Sequence, residues 1–175
     1  MISSIEVTFF HGIVAVCVTH HSGLSGTYPA GSNQARANAV FLLLDKENIP
    51  VGAELRGTTQ RQWRGLAPGS RKDQGFFSVP ADLAPSESIV LCESAIDAIS
   101  CSILRPRHLC HSTSGARPDP ARLAPLLAQS RQVYCGFDAD PTGDRMAAEM
   151  IARHPAIARL RPSRHDCNDL LRSPS

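Results

Sequence analysis

Lysine is nearly missing from this chain. It occurs only at positions 46 and 72, so arginine carries almost all of the positive charge. Arginine is the better bidentate partner for phosphate, although a compositional bias across the proteome explains the imbalance as well. A large excess of either charge is also missing. The net charge is +2, which excludes a polycation, so any nucleic-acid contact has to come from local patches. No Cys-x-x-Cys pair occurs among Cys17, Cys92, Cys101, Cys110, Cys135 and Cys167. That spacing excludes a disulfide framework and a zinc site, and points to a reduced, cytoplasmic protein. Cys92, Cys110 and Cys135 lie in apolar runs, where cysteine serves as a small buried hydrophobe. The apolar run from Phe9 to Val18 is too short to span a bilayer and has no basic leader, so no membrane segment or secretory signal is expected.

What is present has the size of one domain, with at most a small leading subdomain. Residues 1–35 form a poorly defined N-terminal segment with two strand-like runs, Val7–Phe10 and Ile13–Val18, and a Gly/Ser/Asn-rich loop. His20 and His21 lie in that loop and read as solvated side chains. From Asn38 the pattern becomes regular. Ala39–Leu44 and Val51–Arg56 read as strands around a polar turn, and Gln62–Arg64 and Gly75–Val79 add two more, giving a small antiparallel meander over 38–80. Between Leu55 and Lys72 stand Arg56, Arg61, Arg64, Arg71 and Lys72 with no acid among them, and Trp63 in their midst. Arginine beside an aromatic suits phosphate contact with base stacking; a solvated hairpin with Trp63 packed inward accounts for the same residues.

After the linker at 80–86, strand and helix alternate. Ser88–Cys92 is an apolar strand. Ser94–Leu104 has helical spacing, with Ile96, Ile99 and Ile103 on one stripe. His108–Ser112 is a short third segment. Pro120–Gln129 is a helix with Leu123, Leu126 and Leu127 inward. Gln132–Phe137 is a strand, Asp144–Arg153 a helix, and Ala156–Leu160 a last strand. Such alternation calls for a parallel sheet with helices on both faces.

The acids sit where that sheet would gather them. Glu93 directly follows one strand, and Asp138 and Asp140 follow another 45 residues later. All such positions share one edge of a parallel sheet, where ligands collect. A carboxylate trio there can hold magnesium and leave one member to move protons. Each acid also has a plainer reading. Asp140 caps a helix with Pro141 at its first position, and Glu93 complements a helix dipole.

Leu91-Cys-Glu93-Ser-Ala-Ile-Asp97 followed by Phe137-Asp138-Ala-Asp140-Pro-Thr-Gly143-Asp144 resembles the toprim domain of primases, topoisomerases and related nucleases. Asp166-Cys-Asn168-Asp169-Leu-Leu is similar to the closing motif of primase-like toprim proteins of plasmids and other mobile elements, with Cys167 where that motif has tryptophan. Asn38–Leu42, Gly52–Gly57 and Gly65–Ser70 are similar to the domain that precedes toprim in that subgroup. The resemblance covers roughly residues 36–172 and divides the chain into a β-rich subdomain at 36–83 and a Rossmann-like α/β toprim domain at 84–175.

The resemblance implies Glu93 as acid/base and metal ligand, and Asp138 and Asp140 as metal ligands for Mg2+, with Mn2+ able to substitute. It places Gly143 at the turn into the helix. Asp97, Asp144, Asn168 and Asp169 become supporting residues, Asp97 through capping or support of its neighbours. From their own basic and aromatic pattern, Arg56, Arg61, Trp63, Arg64, Arg71 and Lys72 are the candidate nucleic-acid contacts. The implied partner is DNA or RNA, with single-stranded DNA favoured, together with replication, relaxase or helicase proteins. Residues 1–35 hold no primase-type zinc segment, and Tyr28 and Tyr134 lack the setting of a topoisomerase nucleophile. The expectation is primase-like nucleotidyl transfer. A toprim nuclease, a non-catalytic nucleic-acid-binding module and an unrelated phosphate-binding protein are the alternatives.

Overall fold

The computed structural model describes residues 5–10, 13–18, 38–57, 64–79, 88–120, 122–128 and 132–173. A hairpin of β1 (Ile5–Phe10) and β2 (Ile13–Val18) leads. Next comes a three-stranded antiparallel sheet of β3 (Asn38–Leu44), β4 (Pro50–Gly57) and β5 (Arg64–Leu66), in that spatial order. The main sheet holds β6 (Phe77–Val79), β7 (Ser88–Cys92), β8 (His108–Ser112), β9 (Gln132–Cys135) and β10 (Ile157–Arg159), in the order β10-β9-β7-β8-β6. All pairings in it are parallel except β6 with β8. The helices are α1 (Ala95–Leu104), α2 (Leu123–Leu127), α3 (Pro141–Arg153) and α4 (Cys167–Arg172). Among the described residues, no helix is long and apolar enough to cross a membrane.

Strand β7 is buried along its whole length because both faces are covered. Its period of two splits the core. Val90 and Cys92 pack with Ala95, Ala98 and Cys101 of α1 and Cys167 of α4. Ile89 and Leu91 pack with Leu123 and Leu126 of α2 and Ala147 and Met150 of α3. Helices therefore lie on both faces, as the alternation predicts. Cys92, Cys101, Cys110, Cys135 and Cys167 are unpaired, buried thiols. Cys167 fills its place in the core at 7% exposure.

Three expectations shift in detail. Strand β6 does not continue the small meander; it pairs with β8 and forms the antiparallel edge of the main sheet. A backbone bridge between Leu44 and Phe76 joins the two sheets there, with Leu44 N–H to Phe76 O at 2.9 Å. Helix α1 buries its small residues most deeply; Ile96 and Ile99 of the isoleucine stripe are half-buried against the same core, and Ile103 is 59% exposed. The short side chains of Ala95, Ala98 and Cys101 let the helix lie close on the sheet. Helix α3 begins at Pro141 with Asp140 as its N-cap, as the capping reading of Asp140 expects, and not at Asp144, where the helical pattern places its start.

Candidate metal and nucleic-acid site

Strands β7 and β9 are parallel neighbours, with Leu91 opposite Cys135. The residues just past each strand therefore emerge on one edge. Glu93 and Asp138 meet there, and the Asp138 N–H donates to Glu93 Oε1 at 3.0 Å. Asp140 turns its Oδ1 to the Gly143 N–H at 2.7 Å, which starts α3. Its Oδ2 lies 3.7 Å from His165 Nε2. Asp140 thus serves as a cap with one oxygen and faces the acid edge with the other. Gly143 is required by contact: a Cβ there would lie 2.2 Å from the Asp138 carbonyl oxygen.

The edge is crowded with negative charge. Burial, then the charges of Glu93 and Asp97, push the Asp138 carboxyl up to about 7. Glu93 is raised in the same way, chiefly by burial and then by Asp140 and Asp97, against the pull of the Asp138 N–H. Asp97 is raised by burial. It closes a reciprocal cap with Ser94, whose Oγ donates to Asp97 Oδ2 at 2.5 Å and lies 3.3 Å from the Asp97 N–H. The backbone N–H of Asn168 and the charge of Arg56 pull against the rise of Asp97.

The segment before α4 brings two further groups to this edge, and no sequence motif marks either as a ligand. Asp166 caps α4, its Oδ1 accepting the Asp169 N–H at 2.6 Å. Its Oδ2 lies 3.4 Å from His165 Nδ1. One ligand atom from each of Asp138, His165 and Asp166 falls within 4.8 Å of the other two. Two carboxylates and an imidazole, beside acids held above their usual range, form a donor set that fits a divalent cation. Carboxylate oxygen suits magnesium, and the imidazole favours manganese. Asn168 lines the same cleft, whereas Asp169 is exposed on α4 and does not.

Asp144 lies apart from the acid cluster. Arg161 and Arg159 hold its carboxyl down at about 2, with Arg159 Nη2 2.9 Å from Asp144 Oδ1. Arg159 also donates to the carbonyls of Cys135, Phe137 and Asp138 at 3.0, 2.9 and 3.0 Å. Arg161 donates to Ala139 O at 3.0 Å. These two arginines, which belong to no motif in the sequence, brace the loop that carries Asp138 and Asp140.

Opposite the acids stands the small sheet. Arg56 and Arg64 are direct cross-strand partners on β4 and β5, and both line a cleft of about 340 Å³ with Glu93, Asp97 and Asp138. Like charges directly opposite one another destabilise a strand pair, and the charge of Arg56 also acts on the Asp97 carboxylate, favouring its ionised form. Arg71 and Lys72 lie outside the cleft in an exposed turn. Arg61 and Trp63 fall outside the described residues. Glu54, on the same face of β4 as Arg56, also lines the cleft. Its Oε2 accepts the Ala95 N–H at 2.9 Å. Its Oε1 accepts the hydroxyls of Ser112 and, at 2.9 Å, Ser114.

Residues 90–171 match the family model described as toprim-like. Residues 32–80 match a family described as a protein of unknown function (DUF3991). A "65 kDa protein" of Zymomonas mobilis is 33% identical over 124 residues, which are 66% of this chain and 21% of that protein. The chain thus spans about a fifth of the length of this curated relative. The primase fragment of the bacteriophage T7 primase-helicase protein superimposes with a TM-score of 0.63 at 15% identity, over 91% of this chain and 66% of that one. A chain from the complex of T7 lagging-strand DNA polymerase with primase domains, bound to an RNA/DNA hybrid and dTTP, matches with a TM-score of 0.59 at 14% identity. That match covers 94% of this chain and 84% of the other. Residues 90–171 thus match the toprim-like family, and the chain shares the fold of the T7 primase fragment over nearly its whole length.

Proposed function

We propose that this chain is a divalent-metal-dependent toprim domain acting on nucleic-acid phosphodiesters, with primase-like nucleotidyl transfer as its reaction. The observation that carries this reading is the opposition of charges across one cleft. Glu93, Asp97, Asp138 and Asp166 line one side, and Arg56 and Arg64 the other. Asp138, Asp166, His165 and the Oδ2 of Asp140 would hold the cation, which supplies neutralisation of phosphate charge. Arg56 and Arg64 bind the backbone of a single strand by paired hydrogen bonds. Glu93 moves the proton: its carboxyl is raised by burial and by its neighbours, which brings it nearer to working pH. DNA replication or mobile-element maintenance is the setting in which such a reaction would serve. Replication, relaxase or helicase proteins are the partners that setting implies.

The test uses a single-stranded template with nucleotides and Mg2+ or Mn2+, against chelator and against Glu93→Gln. The glutamine Oε1 can still accept the Asp138 N–H, so the fold is kept. Metal-dependent incorporation should fall by about 10³-fold in the variant. The same samples on supercoiled plasmid separate the hydrolytic reading: metal-dependent nicking without incorporation makes the domain a nuclease. A folded wild-type chain that does neither overturns the enzymatic reading.

A further inference from the structure

The small sheet shares a core with the main one, Phe41, Leu43 and Val51 packing with Phe77, Val79, Val90 and Cys92, and polar contacts add to it at the rim. Leu44 and Phe76 bridge through their backbones. Arg122 Nη1 donates to Leu44 O at 2.8 Å, and Arg117 Nη2 donates to Lys72 O at 2.9 Å. Glu54 is different because its tie lies inside the cleft. A carboxylate in a cleft that faces a polyanion opposes binding by its charge, so some other role has to account for its place. The Ala95 N–H is one of the donors that the start of α1 leaves without an intrahelical partner. Glu54 reaches it from another sheet and gathers two hydroxyls from the end of β8. Ser114 adopts φ 53°, in the left-handed region, and the next residue, Gly115, donates its N–H to the Glu93 carbonyl at 2.7 Å. A continuous path therefore runs from Glu54 through Ser114 and Gly115 to Glu93. Two residues along β4, on the same face, stands Arg56 with Arg64 beside it.

We propose that Glu54 is a positioning residue. By seating its carboxylate on the Ala95 amide and the Ser112 and Ser114 hydroxyls, it fixes the Arg56–Arg64 pair at a set distance from the acid edge. Only its binding readout rests on the nucleic-acid reading above. Glutamine at 54 keeps the length and can serve both a donor and a hydroxyl, whereas alanine removes the seat.

The test compares the full chain with Glu54→Gln, Glu54→Ala and Ser114→Ala in three measurements. These are anisotropy of a labelled single-stranded oligonucleotide with Mn2+ at fixed salt, Mn2+ affinity of the protein alone, and amide exchange at Ala95 and Gly115. Glu54→Ala should weaken oligonucleotide binding about tenfold and speed exchange at both amides by about tenfold, with Mn2+ affinity unchanged. Ser114→Ala should shift both in the same direction, and Glu54→Gln should stay within about twofold of wild type. Tighter oligonucleotide binding in both Glu54 variants would overturn the proposal, because Glu54 would then act as a charge alone. Joint loss of Mn2+ affinity and cooperative unfolding in Glu54→Ala, without rescue by glutamine, would also overturn it. If the wild type binds no oligonucleotide, the nucleic-acid reading fails, and the exchange measurement still decides the role of Glu54.

Discussion

A methyl group at residue 143 has nowhere to go. It would meet the Asp138 carbonyl oxygen at 2.2 Å, and that atom belongs to backbone already held by Arg159. Neither side can give without moving the loop that presents Asp138 and Asp140. Gly143→Ala should therefore cost about 2 kcal/mol or more of stability, by analogy with overpacked cores, and should weaken Mn2+ binding along with it. Denaturant titration read beside metal titration checks both. A stability loss with unchanged metal affinity would place the acids outside the reach of this turn. Asp140 shows how one residue can satisfy two sequence readings together. Its Oδ1 caps α3 and its Oδ2 faces His165, so cap and candidate ligand are compatible roles.

At the scale of elements, strands and helices follow from local pattern, and their assembly does not. The alternation after residue 88 and the acids at strand ends are legible because both depend on neighbours in sequence. Strand β6 departs from the expected meander because three residues carry no record of which sheet they join. The isoleucine stripe of α1 holds for Ile96 and Ile99, which pack against the core, and fails at Ile103, because close helix–sheet packing gives the deepest positions to the alanines and Cys101. Glu54 and Asp166 stand inside motifs and His165 beside one, yet no motif states what they do, because their roles lie in contacts with residues far off along the chain, such as Glu54 with Ala95, 41 residues later. Arg159 is the same kind of case. Edge strand β10 exists as three residues, yet its last side chain braces the whole exit from β9. Arg159→Ala should leave the Phe137 and Asp138 carbonyls without this donor and cost about 2–4 kcal/mol. Lysine should rescue little, since it lacks the planar fork. Thermal unfolding of both variants measures this, and a full rescue by lysine would reduce the role of Arg159 to charge.

For the molecule as a whole, the acid edge couples folding to pH and to metal. Asp138 has a carboxyl pushed up to about 7, against an ordinary value near 4 in an unfolded chain. Between those values the folded protein holds a proton that the unfolded chain has released, so this group makes stability fall as pH rises through the window. Glu93 and Asp97 are raised and act in the same direction. His165 is also raised, mainly by Asp166, and loses its stabilising charge as pH rises through its folded value. Asp144, held at about 2 by Arg161 and Arg159, contributes a stability that is lost only at much lower pH and does not enter this range. A cation on Asp138, His165 and Asp166 requires the ionised carboxylates and the neutral imidazole, so its binding strengthens over the same interval in which the metal-free protein weakens. Excess Mn2+ should therefore raise the unfolding temperature by about 4 °C or more at pH 8, and by clearly less at pH 5. Asp138→Asn should stabilise the metal-free protein at pH 8 and abolish most of the Mn2+ shift. Thermal unfolding at the two pH values, with and without Mn2+, reads all of these together. Equal Mn2+ shifts at both pH values, or a shift that survives Asp138→Asn, would mean that the cation binds elsewhere on the chain.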